Sequence, residues 1–198
     1  MIFSLLALLI LAPFLFIIAL VVKYKLGSPV IFTQERLGRG DKPFKVYKLR
    51  SMTMERDENG KLLPDAERIT PFGQFLRSTS IDELPSLWNV IKGDMSLIGP
   101  RPLPAKYLPY YTSEERRRHQ IRGGLSGLAQ VNGRNILSWE ERFAYDIKYL
   151  DSITFWGDVR IFAKTIKKVV RGSDIGLRGV TAPRALYVER DEEQRLDR

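Results

Sequence analysis

The chain has 198 residues, no cysteine and one histidine, and its formal net charge is +9. These counts exclude disulfides, thiolate chemistry and multi-histidine zinc sites, so any catalysis falls to carboxylates, lysine, arginine, hydroxyls or a metal ion with oxygen ligands. The positive charge favours anionic partners such as acidic lipid headgroups or phosphate-bearing substrates.

The first predicted element is a membrane helix over residues 1–26. Residues 1–22 are almost wholly apolar and uncharged, and as a helix they would be about 33 Å long, enough to span a bilayer core. Pro13 cannot donate a backbone hydrogen bond, so a kink is expected there. The residues alone leave two topologies open, a simple span, which is the commoner solution, and a re-entrant helix that turns back at Pro13. Lys23 and Lys25 predict a cytoplasmic location for the rest of the chain.

A small β-hairpin is predicted directly after the membrane segment. Residues 30–34 favour a short strand, and residues 44–49 alternate apolar and polar side chains as its partner would. The intervening segment 38–41 suits a turn. Residues 55–71 are polar, include Asn59-Gly60, and are predicted to form a surface loop.

Helical spacing of apolar residues follows in residues 69–92, 139–149 and 155–171. The first region is predicted to hold two helices, the second ending at Gly93. The last region carries an apolar stripe edged by lysines, formed by Phe155, Val159, Phe162, Ile166 and Val169. Such a stripe usually packs on a core, but docking in the membrane interface is the competing interpretation here. The tail, residues 183–198, is charged and expected to be loose.

The adjacent carboxylates Asp82 and Glu83 have two interpretations. Ser80 and Glu83 match a capping box, and Asp82 could itself cap the helix that follows. The functional interpretation uses the same geometry, because a carboxylate at a helix N-terminus stays ionised and available as a nucleophile or a metal ligand.

The pair lies in the long motif RSTSIDELPSLWNVIKGDMSLIGPRPL at residues 77–103, with VIFTQERLG and FKVYKLRSM upstream and GLAQVNGRN downstream. Together these motifs resemble the bacterial sugar transferase family of monotopic phosphoglycosyl transferases. The resemblance extends to about residue 172. It is greatest to the small members that begin glycan assembly on polyprenol phosphate in protein glycosylation.

The resemblance implies an enzyme that transfers a phospho-sugar from a UDP-sugar to polyprenol phosphate and releases UMP. Asp82 would be the nucleophile that forms a covalent phospho-sugar intermediate. Glu83 would be its partner, and both carboxylates would bind Mg²⁺. Residues implied to lie around phosphate and nucleotide are Lys48, Arg77, Pro100, Arg101, Arg134 and Asp146. Each of these charged residues also has a structural explanation as a surface charge or an ion pair. The segment around Arg134 is similar to members that use N-acetylated UDP-sugars.

The resemblance also bears on topology and domain organisation. It implies an α+β, mostly helical fold with a re-entrant membrane helix, a small hairpin and amphipathic interfacial helices around one compact catalytic domain. The expected segments are the membrane helix (1–26), the catalytic domain (27–182) and the tail (183–198). The whole protein would lie on the cytoplasmic face of the bacterial inner membrane, in contact with phospholipids.

Two residues depart from the family pattern. The break in the membrane helix falls at Ala12 and Pro13, where the family has Ser-Pro, so no hydroxyl can satisfy the freed carbonyl. Gly123 replaces a common proline and predicts a looser loop. The alternative function is a non-catalytic single-pass scaffold with a basic lipid- or partner-binding domain. Nucleic acid is not an expected partner, because no recognisable reader motif is present.

Overall fold

The fold is described by a computed structural model that covers residues 2–133, 136–171 and 184–196. Helices predominate and strands are few, which confirms the expected α+β, mostly helical class. The helices are α1 (Ile2–Leu26), α2 (Asp65–Arg68), α3 (Pro71–Ser78), α4 (Leu87–Lys92), α5 (Ser113–Arg116), α6 (Leu128–Asn132), α7 (Trp139–Asp151), α8 (Phe155–Arg171) and α9 (Leu186–Leu196). The strands are β1 (Ile31–Leu37), β2 (Pro43–Leu49), β3 (Ser96–Ile98) and β4 (Gly124–Ser126). Short segments of 3₁₀ helix lie at Arg39–Asp41, Ile81–Ser86, Ala105–Tyr110 and Arg117–Gln120.

The chain divides into two compact units. The first unit is Met1–Gln34 with Val46–Gly93, and the second is Glu35–Lys45 with Asp94–Arg198. The predicted division at residues 26 and 182 stays a prediction.

The N-terminal helix α1 is 25 residues long and contains Pro13. It is long and apolar enough to cross a membrane, by length and composition, and most of its large apolar side chains are exposed. The helix continues through Ala12 and Pro13, so the expected break at these residues does not end it. Its C-terminal residues Val22 and Leu26 are buried and pack in the core of the first unit with Leu49 and Leu76.

The predicted hairpin is confirmed. Strands β1 and β2 pair in a two-stranded sheet, and the 3₁₀ turn Arg39–Asp41 connects them. Gly40 and Asp41 both have positive φ, which closes the turn. The predicted surface loop over residues 55–71 contains the Asn59-Gly60 turn and one short helix, α2.

The two helices expected in residues 69–92 are α3 and α4. Thr70 caps α3, because its side chain accepts a hydrogen bond from the backbone amide of Gly73. Helix α4 ends at Gly93, which has a φ of 83°. The predicted stop at Gly93 is therefore confirmed, and glycine is the residue that adopts this left-handed conformation without strain.

In the second unit, β3 and β4 pair in parallel with Ser96 opposite Gly124 and Ile98 opposite Ser126. The sequence did not indicate these strands, because each has only three residues and β4 lies in a glycine-rich segment. A Cβ atom on Gly124 would lie 2.2 Å from the backbone nitrogen of Gly99, so this pairing requires glycine.

Gly123, which the sequence predicts to lie in a looser loop, has close neighbours. Gly123 is buried, and a Cβ atom on it would lie 2.5 Å from the ring of Pro102. The Pro102 ring therefore occupies the space that a side chain at position 123 would need.

Helix α8 has the predicted bounds, but its apolar stripe does not pack on a core. Phe155, Val159, Phe162 and Ile166 are exposed, with 74% and 52% of the surface accessible at the two phenylalanines. The helix is attached to the second unit through the buried Ile161 instead. The interpretation of this stripe as a core-packed face is therefore wrong.

The expectation of a loose tail is wrong for residues 184–196. Helix α9 begins at Leu186, which is fully buried in a core with Leu103, Tyr107, Trp139 and Phe143. The indole nitrogen of Trp139 donates a hydrogen bond to the carbonyl of Arg184 at 2.9 Å. The sequence indicated only charge here, and a single buried leucine was too weak a signal for packing.

Candidate active site

The carboxylate pair lies in the 3₁₀ turn Ile81–Ser86, directly before α4. Ser80 precedes this turn with a φ of 58°, and its side chain makes no capping hydrogen bond. The predicted capping box is therefore wrong. A left-handed conformation is uncommon for a residue other than glycine, and such strain is found preferentially at functional sites.

Glu83 is paired with a lysine from the hairpin. The Lys48 Nζ atom on β2 lies 3.0 Å from Glu83 Oε1, and each side chain is about one-fifth exposed. Asp82 is more deeply buried than Glu83, with 7% of its surface accessible. The structure thus brings three of the predicted site residues together within the first unit.

Two buried polar residues fix the position of this turn against β2. Ser86 Oγ donates a hydrogen bond to the Tyr47 carbonyl at 2.7 Å, and Asn89 Oδ1 accepts one from the Tyr47 amide at 3.1 Å. Both side chains are almost wholly inaccessible to solvent. Because Tyr47 precedes Lys48, these bonds set the register that places Lys48 beside Glu83. Sequence reasoning missed Ser86 and Asn89, whose presence inside the long motif was the one available signal.

Arg77 also lies in the first unit, at the end of α3. Its Nε atom donates a hydrogen bond to Ser51 Oγ at 2.8 Å. The neighbouring Arg50 is buried and donates to the carbonyls of Leu26 and Ser28, at the C-terminal end of α1. Arg77 thus connects the segment that follows β2 to α3, and Arg50 connects the same segment to the end of α1.

The second unit contains Pro100, Arg101 and Asp146. The Pro100 carbonyl accepts a hydrogen bond from the Gly124 amide at 2.8 Å, and Arg101 is half-buried. Asp146, on α7, is buried and accepts two hydrogen bonds from Arg118, at 2.9 and 2.7 Å. Arg134 lies outside the described residues.

Burial and charge shift the pKa values of this buried pair. Burial raises the pKa of the Asp146 carboxyl, against the opposing attraction of Arg118. Burial by itself would lower the pKa of Arg118, but the attraction of Asp146 outweighs it and the pKa is raised. Arg118 therefore carries its charge in the interior of the unit.

A second polar cluster holds the hairpin turn. Asp41 accepts hydrogen bonds from Arg116 at 2.7 Å and from His119 Nδ1 at 2.5 Å. These bonds outweigh the effect of burial, so the pKa of Asp41 is lowered. Burial and the neighbouring charge of Arg118 lower the pKa of His119 to about 4, so the imidazole is neutral at pH 7.

Comparison with protein families shows which family the chain belongs to. The model of the family described as bacterial sugar transferase matches residues 1–172. The chain belongs to this family. The family predicted from the sequence motifs is thus confirmed.

Three curated proteins are similar in sequence to this bacterial sugar transferase over most of its length. The uncharacterized sugar transferase EpsL of Bacillus subtilis is 53% identical, covering 79% of this chain and 77% of EpsL. The UDP-glucose:undecaprenyl-phosphate glucose-1-phosphate transferase of Klebsiella pneumoniae is 41% identical, covering 83% of this chain and 38% of that protein. The undecaprenyl-phosphate galactose phosphotransferase of Salmonella typhimurium is 40% identical, covering 73% and 34%. The chain thus spans most of EpsL but little more than a third of the other two.

Asp82 and Glu83 are the residues that would hold a magnesium ion in this sugar transferase. Mg²⁺ is commonly held by one or two carboxylates together with water and the phosphate oxygens of a substrate, rather than by an all-protein cage. Asp82 and Glu83 supply two adjacent carboxylates, and Lys48 is bonded to one oxygen of Glu83. Among residues 2–133, 136–171 and 184–196 no group of three or more His, Cys, Asp and Glu residues could hold a metal. A magnesium ion held by these two carboxylates would therefore need further ligands, such as water or substrate phosphate oxygens.

Proposed function

We propose that this protein transfers a phospho-sugar from a UDP-sugar to polyprenol phosphate, giving polyprenol-diphospho-sugar and UMP. The observation that carries the proposal is the Asp82–Glu83 turn, with Lys48 held against Glu83 at 3.0 Å, in a chain of the bacterial sugar transferase family. Two relatives named for undecaprenyl-phosphate sugar transfer support the same reaction class.

The proposed reaction has two steps that both pass through Asp82. In the first step, an oxygen of the ionised Asp82 carboxylate attacks the β-phosphorus of the UDP-sugar. The new O–P bond replaces the bond to the bridging oxygen, and UMP leaves with that oxygen and its electron pair. In the second step, a phosphate oxygen of polyprenol phosphate attacks the same phosphorus and releases the Asp82 carboxylate. The burial of Asp82 supports this sequence, because exclusion of water limits hydrolysis of the covalent intermediate.

Glu83 and Lys48 have supporting roles in this proposal. Glu83, together with Asp82, would hold Mg²⁺, which supplies charge neutralisation at the transferred phosphoryl group when bound. Lys48 orients Glu83 through their ion pair. Arg77, Arg101 and Arg134 are proposed to bind donor phosphate, because guanidinium groups bind phosphate oxygens in a bidentate manner.

The sugar is the least constrained part of the proposal. The Asn132–Asn135 sequence segment favours an N-acetylated UDP-sugar, whereas the named relatives act on glucose and galactose derivatives. Release of UMP from UDP-N-acetylglucosamine, UDP-N-acetylgalactosamine, UDP-glucose and UDP-galactose, each with Mg²⁺ and polyprenol phosphate, would identify the donor. We expect the fastest release from an N-acetylated donor, and a faster reaction with UDP-glucose or UDP-galactose would contradict this choice.

We also propose that α1 is re-entrant and that the protein lies on the cytoplasmic face of the inner membrane. The exposed stripe of α8 supports membrane contact, because exposed phenylalanines beside lysines suit a lipid interface. Single cysteines replacing Ile2 and Glu192 test the topology, since the chain has no native cysteine. Equal protection of both sites from an impermeant label in intact cells is expected. Labelling at position 2 alone would restore the simple span.

The decisive experiment for the reaction is UMP release by the wild type and by Asp82→Asn. The wild type should release UMP, and the variant should lose at least about a thousandfold in rate, because the amide is a poor nucleophile. A wild type that releases no UMP from any of the four donors would leave the non-catalytic scaffold as the better function. An Asp82→Asn variant that retains wild-type activity would remove Asp82 from the reaction.

A further inference from the structure

The Arg118–Asp146 pair lies next to the turn that carries Arg101. Arg118 Nη2 donates a hydrogen bond to the Arg101 carbonyl at 2.7 Å and another to Asp146 Oδ2 at the same distance. Arg118 and Asp146 are both almost wholly inaccessible, so this contact is made in the interior of the second unit. A charge-assisted hydrogen bond in such surroundings is short, strong and directional.

Three backbone carbonyls of the turn at residues 99–103 are held by neighbouring segments. The Pro100 carbonyl accepts from the Gly124 amide at 2.8 Å, and the Leu103 carbonyl accepts from the Leu37 amide at 3.0 Å. The Arg101 carbonyl between them accepts from a side chain, that of Arg118. Arg118 therefore helps to fix the backbone of the turn at Arg101.

Arg118 is itself fixed by its surroundings. Asp146 binds both the Nε and the Nη2 atoms, and the guanidinium lies 5.6 Å from the ring centre of Phe143 and 5.9 Å from that of Tyr111. A buried ion pair contributes little net stability compared with apolar residues of the same volume. The Arg118–Asp146 pair is therefore better explained by the groups that it holds in place than by the stability that it adds.

We infer that Arg118, held by Asp146, is a positioning residue that sets Arg101 for the donor diphosphate. This inference rests on the proposed function, in which Arg101 binds the donor. It also gives Asp146 a role through Arg118, in place of the direct substrate contact that the sequence motifs predicted.

Ping-pong kinetics separate this role from a merely structural one. In such a scheme kcat/KM for the UDP-sugar reports only the first step, and kcat/KM for polyprenol phosphate reports only the second. Arg118→Lys keeps a positive charge beside Asp146 but cannot bind Asp146 and the Arg101 carbonyl together in the same fork geometry. We expect kcat/KM for the donor to fall about tenfold, with kcat/KM for the acceptor within about twofold of wild type.

Two further variants test whether the effect passes through Arg101. Arg101→Ala should lower kcat/KM for the donor, and adding Arg118→Lys to it should cause no further loss, because residues acting as one unit are not additive. The control is Arg117→Lys, the same change at the neighbouring, solvent-accessible arginine. It should leave both kinetic constants within about twofold of wild type.

A charge-neutral double variant distinguishes the inferred positioning role from a folding defect. Arg118→Met with Asp146→Asn removes the pair without leaving one charge buried alone, and should reproduce the selective donor defect in a folded protein. Equal losses in both kcat/KM values, an additive loss in the Arg101→Ala background, or an unchanged Arg101→Ala variant would each overturn the inference. A wild type without UMP release would instead overturn the proposed function.

Discussion

The turn that carries Asp82 and Glu83 and the polar interior of the second unit both keep charged groups from water, but by different means. In the first unit the turn is held against β2 by hydrogen bonds between the side chains of Ser86 and Asn89 and the backbone of Tyr47, in addition to the Lys48–Glu83 ion pair. In the second unit, charged side chains pair with one another, as Arg118 does with Asp146. Asp146 is held directly, by two hydrogen bonds from Arg118 to its own carboxylate, whereas Ser86 and Asn89 hold the turn that carries Asp82, the proposed nucleophile.

The largest effect is expected from moving the carboxylate of Asp82, the proposed nucleophile. Asp82→Glu adds one methylene and displaces an in-line nucleophile, so UMP release should fall at least about a hundredfold. The matched control is Asp41→Glu in the second unit, which makes the same change to a carboxylate outside the proposed chemistry. UMP release should be affected far less in this control, and equal losses in the two variants would show that carboxylate length matters only for folding.

The two regions also differ in how much of them the sequence could predict. The Asp82–Glu83 turn lies in one contiguous string, so its proposed role and the helix stop at Gly93 could both be predicted from the motif. Arg118 and Asp146 are 28 residues apart, and Asp41 and His119 are 78 apart. Pairs at such separations depend on the tertiary fold, and one sequence carries no signal that selects them among 55 charged residues.

Local propensity explains the remaining differences between prediction and structure. The hairpin and the bounds of α8 followed from alternation and helical spacing. The S-x-x-E pattern at Ser80 predicted a cap, but Ser80 adopts a left-handed conformation and the turn is 3₁₀. The apolar stripe of α8 has the same spacing whether it faces a core or a membrane, so periodicity could not decide between them.

A second prediction concerns acid stability of the second unit. His119 has a pKa of about 4 in the folded protein, against an ordinary value of 6.5, so the unfolded chain binds the proton more tightly. Stability should therefore fall as pH is lowered from 6.5 to 4, by up to about 3 kcal/mol, and should gain nothing from His119 above that range. Asp41, Arg116, Arg118 and Tyr111 surround the ring.

The measurement compares thermal unfolding of His119→Gln with that of the parent between pH 4 and 7. In a Trp88→Phe background the remaining tryptophans, Trp139 and Trp156, both lie in the second unit and report its unfolding. The difference between the two proteins cancels the opposite contribution of Asp146, whose raised pKa favours the folded state as pH falls. Parallel pH profiles for the two proteins would contradict a neutral, buried His119.

The smallest predicted effect tests the backbone contacts of the first unit. Asn89→Leu removes the acceptor of the Tyr47 amide at similar volume and leaves that buried N–H without its partner, which costs about 2 kcal/mol. Exchange of amide hydrogens in the β2 peptide should accelerate about thirtyfold if it occurs through opening of this contact. Ser78→Ala, which removes an exposed hydroxyl bonded to the Phe75 carbonyl in the same unit, should leave β2 exchange unchanged.

If Asn89→Leu also lowers UMP release while Ser78→Ala does not, the register of β2 governs the position of Lys48 at Glu83. Unchanged UMP release with accelerated exchange would limit Asn89 to stability and leave the ion pair to maintain its own geometry.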